Sequence, residues 1–271
     1  MIPHDYHIHT LFSCDSQATM TEMCRAAIER GIPEIGFSDH FDMIPEDPCY
    51  NFFQADAWWE ALQRCRENFQ DLLTIRAGIE LGEPHRFQDE VYVLLENYPW
   101  DYSLGSIHWI GSKYIFDPVY FEQPEERGYK EYYREMAKMV SEGDFDILAH
   151  MDIIKRFGFD KYGAYDPHSF EDEIRAILRM CAERGLGLEI NTATLRRPVG
   201  QAAPAEVVLR WFSEEGGRWL TLGSDAHLPE HVGFGLEQAV DAIKSVGYSN
   251  LACFEARQPI PLPFSRFEPT E

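Results

Sequence analysis

Apolar positions along the chain alternate between two rhythms. Short, nearly continuous apolar runs occupy residues 5–9, 34–38, 74–81, 102–107, 145–149, 187–191 and 219–223. Runs of this length, bounded by polar clusters, read as strands covered on both faces. Between them, apolar residues recur every three or four positions in MTEMCRAAIERG, AWWEALQRCRENFQD, FQDEVYVLLENY, YKEYYREMAKMVSEG, SFEDEIRAILRMCAERG and PAEVVLRWFSEEGG, and LEQAVDAIKSVG follows the last run. That spacing lays one apolar stripe along a helix. Gly31, Gly143, Gly185 and Gly216 stand where helix C-terminal caps belong.

Seven strands alternating with seven helices predict a parallel sheet with crossover helices. An open doubly wound sheet and a closed barrel both satisfy the alternation. The polar residues favour the barrel: nearly every strand ends in side chains capable of chemistry, and α/β barrels collect their chemistry at the C-terminal ends of their strands. The expected fold is an α/β barrel of about seven strands, one domain spanning residues 1–271.

Six of the ten histidines fall at or just beyond those strand ends: His7 and His9 in DYHIHT, His40 in FSDH, His108 in GSIH, His150 in LAHMD and His227 in GSDAH. Asp39, Glu80, Asp152 and Asp225 occupy equivalent places, and Asp15 lies in the loop after the first strand. His7 and His9 are two apart on a strand and share a face. Asp225 and His227 repeat that spacing on the last strand, which adjoins the first if the sheet closes. Such a cluster without a ligand would be costly to desolvate. Neutral imidazole with carboxylate suits Zn, Mn or Fe. The ligand count exceeds that of one catalytic zinc, so two or three divalent transition metals sharing a bridging carboxylate fit better. Two such cations can clamp an in-line displacement at phosphorus. His4, His85, His168 and His231 lie outside the pattern and read as ordinary packing or surface residues.

Composition sharpens this picture. The chain has 271 residues, 45% of them hydrophobic and 14% aromatic, which excludes disorder. Its formal charge of −22 argues against a nucleic acid polymer or an anionic membrane as partner. Clustered cations therefore stand out. Lys155 and Arg156 follow the fifth strand, and Arg196 and Arg197 follow the sixth, on the same rim as the histidines. All four are expected to bind the substrate phosphate, for which the planar guanidinium is well matched. Three divalent cations would also bring about +6 to the pocket, so the formal charge describes the outside of the molecule more than its site.

Other features read as support. Trp58 and Trp59 are expected in the core, and Trp109 either packs or walls the pocket. Ser13, Ser38, Ser106 and Ser224 lie beside the candidate ligands and are expected to hydrogen-bond their neighbours. No glycine-rich nucleotide loop is present. No basic and apolar leader or 18-residue apolar stretch is visible, and Cys14, Cys24, Cys49, Cys65, Cys181 and Cys253 form no disulfide-like pattern. A cytoplasmic protein with free thiols is expected.

The ordered set DYHIHT…SCD, FSDH, GIELG, GSIH, LAHMD and GSDAH resembles the PHP (polymerase and histidinol phosphatase) family, and LEINTATLRRPVG with LTLGSDAHLPEHVGFG resembles its histidinol-phosphatase branch. The resemblance implies a distorted (β/α)7 barrel with a trinuclear centre. His7, His9, Glu80 and Asp225 would bind one metal. Glu80 would bridge to a second, completed by His108 and His150. Asp15, at a position that is histidine in some relatives, would hold a third with His40 and His227. Asp39 and Asp152 would orient His40 and His150. The implied reaction is hydrolysis of L-histidinol phosphate, with Arg197 or Arg196 stabilising charge and Asp225 or His227 protonating the leaving alkoxide. The alternatives are a related phosphoesterase acting on a nucleotide or another small phosphate, an amidohydrolase-like metal enzyme, and a closed metal-binding module without catalysis. The second commonly needs a lysine at a strand end, which is absent here. The third does not explain an open, cation-rimmed cluster.

Overall fold

The computed structural model describes residues 2–267. Among them, seven parallel strands pair in the order of the chain: β1 (Asp5–Ile8), β2 (Glu34–Phe37), β3 (Thr74–Gly82), β4 (Tyr102–Ser106), β5 (Ile147–Leu148), β6 (Gly187–Asn191) and β7 (Leu220–Gly223). The sheet closes through a parallel bridge from Ile8 to Ala226, reinforced by His9 N–H to Ala226 O at 2.9 Å and Ala226 N–H to His7 O at 3.2 Å. Every strand anticipated from the apolar runs is present. The result is a distorted (β/α)7 barrel.

Eight helices surround it: α1 (Met20–Glu29), α2 (Ala55–Phe69), α3 (Gln88–Asn97), α4 (Glu125–Glu142), α5 (Lys155–Tyr162), α6 (Glu171–Arg184), α7 (Glu206–Glu214) and α8 (Leu236–Ser245). Each anticipated helix forms, for local reasons. Thr19 caps α1 in a reciprocal box with Glu22. In α6, Ile174, Ile177, Leu178 and Cys181 make the buried stripe, and Gly185 ends the helix in the left-handed conformation that lacks a Cβ penalty. Helix α5 is an addition to the sequence reading.

The barrel interior is packed with side chains. Tyr102 lies across its floor, its hydroxyl donating to Tyr6 O at 2.6 Å. Gly36 and Gly78 make room for it, since a Cβ on either would fall 2.1 or 2.2 Å from the Tyr102 side chain. An antiparallel hairpin, β8 (Asn250–Glu255) and β9 (Gln258–Pro263), covers the N-terminal end, with Phe254 against Tyr102. The opposite end stays open, and all seven strands point their C-termini into it. No helix of the described residues is long and apolar enough to cross a membrane.

The cysteine expectation needs correction. Cys14 and Cys49 form a disulfide, while Cys24, Cys65, Cys181 and Cys253 are free and buried. The pair is 35 residues apart and joins the loops that follow the neighbouring strands β1 and β2, so spacing gave no sign of it.

Candidate metal centre

Glu80, near the end of β3, is the hub. Five imidazoles face its buried carboxylate. Oε2 lies 3.2 Å from His7 Nε2, 3.4 Å from His9 Nε2 and 3.2 Å from His40 Nδ1. Oε1 lies 2.8 Å from His150 Nε2 and 3.5 Å from His108 Nε2. Asp225 approaches His9 Nε2 at 3.4 Å from the closing edge of the barrel. On the outer side, Asp15 Oδ2 lies 3.0 Å from His227 Nε2 and 3.7 Å from His40 Nε2. All nine anticipated ligands fall into four overlapping groups with their donor atoms within 4.8 Å of one another.

These residues fit metal ions better than they fit each other. Two donors on one tetrahedral cation, with bonds of 2.0–2.2 Å, sit about 3.3–3.6 Å apart. Three of the contacts above, His9 to Glu80 and to Asp225 at 3.4 Å and His108 to Glu80 at 3.5 Å, have that length rather than a hydrogen bond's. His9 Nε2 and His40 Nδ1 are buried with no hydrogen-bond partner, an expensive state for a polar atom unless it has something to bind. The electrostatics agree. Burial alone would raise the Glu80 carboxyl, but His7 and His40 hold it well below the usual carboxylate range. Burial, then the neighbouring His227 and His40, pushes His9 down to about 3, leaving it neutral. His40 goes the other way, because Glu80 and Asp42 overcome its burial and lift it to about 10.

A ring of polar partners fixes the ligands. Glu189, on β6, takes His7 Nδ1 at 2.6 Å and the backbone N–H of His150 at 2.7 Å. Gly223 makes this possible, since a Cβ there would fall 2.0 Å from Glu189 Oε1. Ser106 donates to Glu80 at 2.6 Å. Ser13 gives its proton to Asp39 at 2.8 Å and so accepts from His9 Nδ1 at 3.0 Å. That assigns the His9 proton to Nδ1 and leaves Nε2 unprotonated toward Glu80 and Asp225. Asp42 faces His40 Nδ1 at 3.5 Å and His108 Nδ1 at 3.6 Å. Asp225 and His150 have positive φ of 52° and 23°, conformations that cost energy in a side-chain-bearing residue and recur at functional sites.

Several expected roles shift. Asp39 supports His9 through Ser13 and also accepts from Trp58 Nε1 at 2.8 Å; it does not hold the His40 ring. Asp152 does not orient His150: it pairs with Lys155 at 2.9 Å and accepts from Ala205 N–H at 3.0 Å. Lys155 is fully buried, with its Nζ also on Ala202 O, and points away from the cleft, so it is not placed to bind substrate. Helix α5 explains the misreading, because it turns Lys155 inward and leaves only Arg156 on the rim. Arg196 lines the cleft but spends two donors on the carbonyls of Ser224 and Asp225, at 2.9 and 3.0 Å. The side chains of Arg156 and Arg197 line it without an ion pair among the described residues. Trp59 is in the core, and Trp109 stands behind the wall, its Nε1 on Asp47 and its ring against Tyr114. The sequence reading missed Glu189, Asp42 and the presence of His231 on the rim. A carboxylate inside an otherwise apolar buried strand was the available signal for Glu189.

The cleft over this cluster holds about 730 Å³ and is lined by Asp42, Asp47, Tyr114, Phe116, Phe157 and the three arginines among others. A parallel barrel with histidine and carboxylate ligands at its open end defines the class of metal-dependent barrel hydrolases. Comparison with known proteins narrows it: the PHP domain model matches residues 5–193, and the chain belongs to that family. It is 31% identical over 255 residues to a probable histidinol-phosphatase of Deinococcus radiodurans, covering 90% of this chain and 93% of that one. It is 28% identical to the histidinol-phosphatase of Lactococcus lactis, covering 92% and 93%. The crystal structure of histidinol phosphate phosphatase from Lactococcus lactis, complexed with zinc, L-histidinol and phosphate, superposes with a TM-score of 0.89 at 26% identity, covering 96% of this chain and 99% of that one.

Proposed function

We propose that this protein is a metal-dependent phosphomonoesterase that hydrolyses L-histidinol phosphate to L-histidinol and phosphate. The observation that carries the reading is the convergence of nine candidate ligating side chains at the open end of the barrel, beneath a rim bearing two arginines without ion pairs among the described residues. The relatives' substrate gives the reading its particular ester.

In this reading His7, His9, Glu80 and Asp225 would hold one divalent transition metal, Glu80 with His108 and His150 a second, and Asp15, His40 and His227 a third. Bound there, the metals supply Lewis acidity and a nucleophilic oxygen at neutral pH. The chain does the rest. Arg156 and Arg197 present planar forks to the non-bridging phosphate oxygens. Arg196 holds the backbone of Asp225 in its strained turn and keeps that carboxylate aimed inward. Asp225 and His227, on the mouth side of the cluster, are the groups placed to give a proton to the leaving alkoxide. Asp42 and Asp47, with Tyr114, Phe116 and Phe157, offer an ammonium and an imidazole matching chemistry in the same cleft. The −22 charge suits a small substrate with a cationic end and disfavours long polyanions. A cytoplasmic location belongs to the same reading, since a biosynthetic phosphatase acts where its substrate is made.

The test is to quantify bound metals by mass spectrometry and to measure phosphate release from a panel of phosphomonoesters. Two or three equivalents of Zn, Mn or Fe and the highest kcat/KM for histidinol phosphate are expected. Active protein without metal, or a higher kcat/KM for a nucleotide, would overturn the reading.

A further inference from the structure

The Cys14–Cys49 disulfide sits at the mouth of the metal cleft, and both cysteines line it. Cys14 precedes Asp15 directly, and Asp15 is about half exposed, with His227 and His40 as its charged contacts. The loop bearing Asp15 is rooted by Leu11 N–H to Ala18 O at 2.8 Å and by Ser16 Oγ to His227 O at 2.9 Å. At its tip the covalent link runs to Cys49. That residue is itself fixed: its N–H donates to Asp47 Oδ1 at 2.6 Å, and Asp47 accepts from Trp109 Nε1 at 2.6 Å. The disulfide thus straps the loop carrying Asp15 to a rigid wall of the cleft.

We propose that Cys14 and Cys49 form a reversible thiol–disulfide modification site that sets how tightly the Asp15–His40–His227 position holds its cation. The proposal rests on the metal-dependent phosphatase reading. In a cytoplasmic enzyme, a disulfide is more often transient and redox-sensing than structural. Cys14 is partly exposed and opens on the cleft, so a dithiol reductant can reach it. The thiolate of that dithiol attacks one sulfur, and a mixed disulfide forms as the other sulfur leaves as a thiolate. The reductant's second thiol then closes its own disulfide, so two electrons and two protons pass to Cys14 and Cys49. Once reduced, the Asp15 loop keeps its root but loses its strap. The deep positions around Glu80, His108 and His150 rest on the ends of β3, β4 and β5 rather than on the Asp15 loop, and keep their geometry.

The holoenzyme is compared in disulfide form and after reduction, alongside the metal-loaded Cys14→Ser/Cys49→Ser variant, which needs no reductant. Alkylation under denaturing conditions counts thiols, and metal retained against a graded chelator is measured by mass spectrometry. Four thiols in the oxidised form and six in the reduced form are expected. One metal equivalent should leave at roughly tenfold lower chelator in the reduced protein and in the double variant, while the rest is retained as before. A Cys181→Ser protein should behave as wild type. Equal retention in all forms, or six thiols in protein quenched before any reduction and unchanged after mild oxidation, would overturn the proposal alone. No bound metal in any form would overturn the phosphatase reading and the proposal with it.

Discussion

The two ends of the barrel are both rich in charge and use it in opposite ways. At the N-terminal end, the guanidiniums of Arg66, Arg76 and Arg257 meet carboxylates of the same chain. Arg76 lies 3.0 Å from Glu34, 3.5 Å from Glu255 and 3.8 Å from Asp101. Arg66 lies 2.9 Å from Asp101, and Arg257 bonds Asp144 at 2.6 Å and Asp146 at 3.0 Å. At the C-terminal end, acceptors crowd against acceptors, and the arginines stand apart on the rim. Charge that is matched within the chain locks a hairpin onto a barrel. Charge that is left unmatched, and buried, marks where ligands from outside complete the structure.

Breaking the unmatched end at its hub should have the largest effect. Glu80→Gln removes the one carboxylate shared by five imidazoles. Loss of at least about 10³-fold in kcat/KM is expected, together with loss of most bound metal. Full turnover with full metal content would end the bridging role. Glu189→Gln tests whether the support behind the ligands matters: the acceptor of His7 loses its negative charge, and metal affinity or activity should fall roughly 10- to 100-fold with the fold intact. Circular dichroism and metal titration separate the two.

The matched end makes the contrary prediction. Arg76→Ala leaves the partly buried Glu34 without its cation, while Asp101 keeps Arg66, and should cost about 2–3 kcal/mol in urea unfolding. The kcat per folded molecule should stay within about twofold. A large kcat defect would mean that the hairpin end communicates with the site.

Legibility in the sequence followed the same division. The seven strands and the nine candidate ligands were readable because buried parallel strands are continuous apolar runs, and because histidines at their ends have no cheap structural explanation. Features set by tertiary closure were not readable. Helix α5, KRFGFDKY, has a glycine inside and a short stripe, and its turn inward is what separates Lys155 from Arg156. The hairpin strand QPIPLP carries three prolines, which argue against a strand anywhere but an edge, and it is an edge here. Its turn places Ala256 and Arg257 at φ of 49° and 63°, where Asn or Gly would have announced it. Asp39 and Asp152 were misassigned because adjacency in sequence to a histidine does not give contact with its ring.

The smallest expected effect separates a histidine that binds nothing from those that do. His4 is fully buried just before β1, its Nε2 accepting from Leu222 N–H at 3.1 Å and its ring 4.2 Å from that of Tyr6. Burial pushes it down to about 3 from an ordinary 6.5. The folded state therefore refuses a proton that the unfolded chain accepts below about pH 6.5. Stability contributed by the neutral imidazole is complete above that pH and declines as pH falls toward 3, with a limiting slope of about 1.4 kcal/mol per pH unit. His4→Gln keeps an acceptor for Leu222 and removes the titration. Between pH 7.5 and 5.5 the wild type should lose about 1.4 kcal/mol more than the variant in urea unfolding. Metal loss through protonation of the cleft imidazoles affects both proteins alike and cancels in the difference. Equal losses would mean that His4 takes up its proton while folded, and that burial at the matched end is less complete than its geometry indicates.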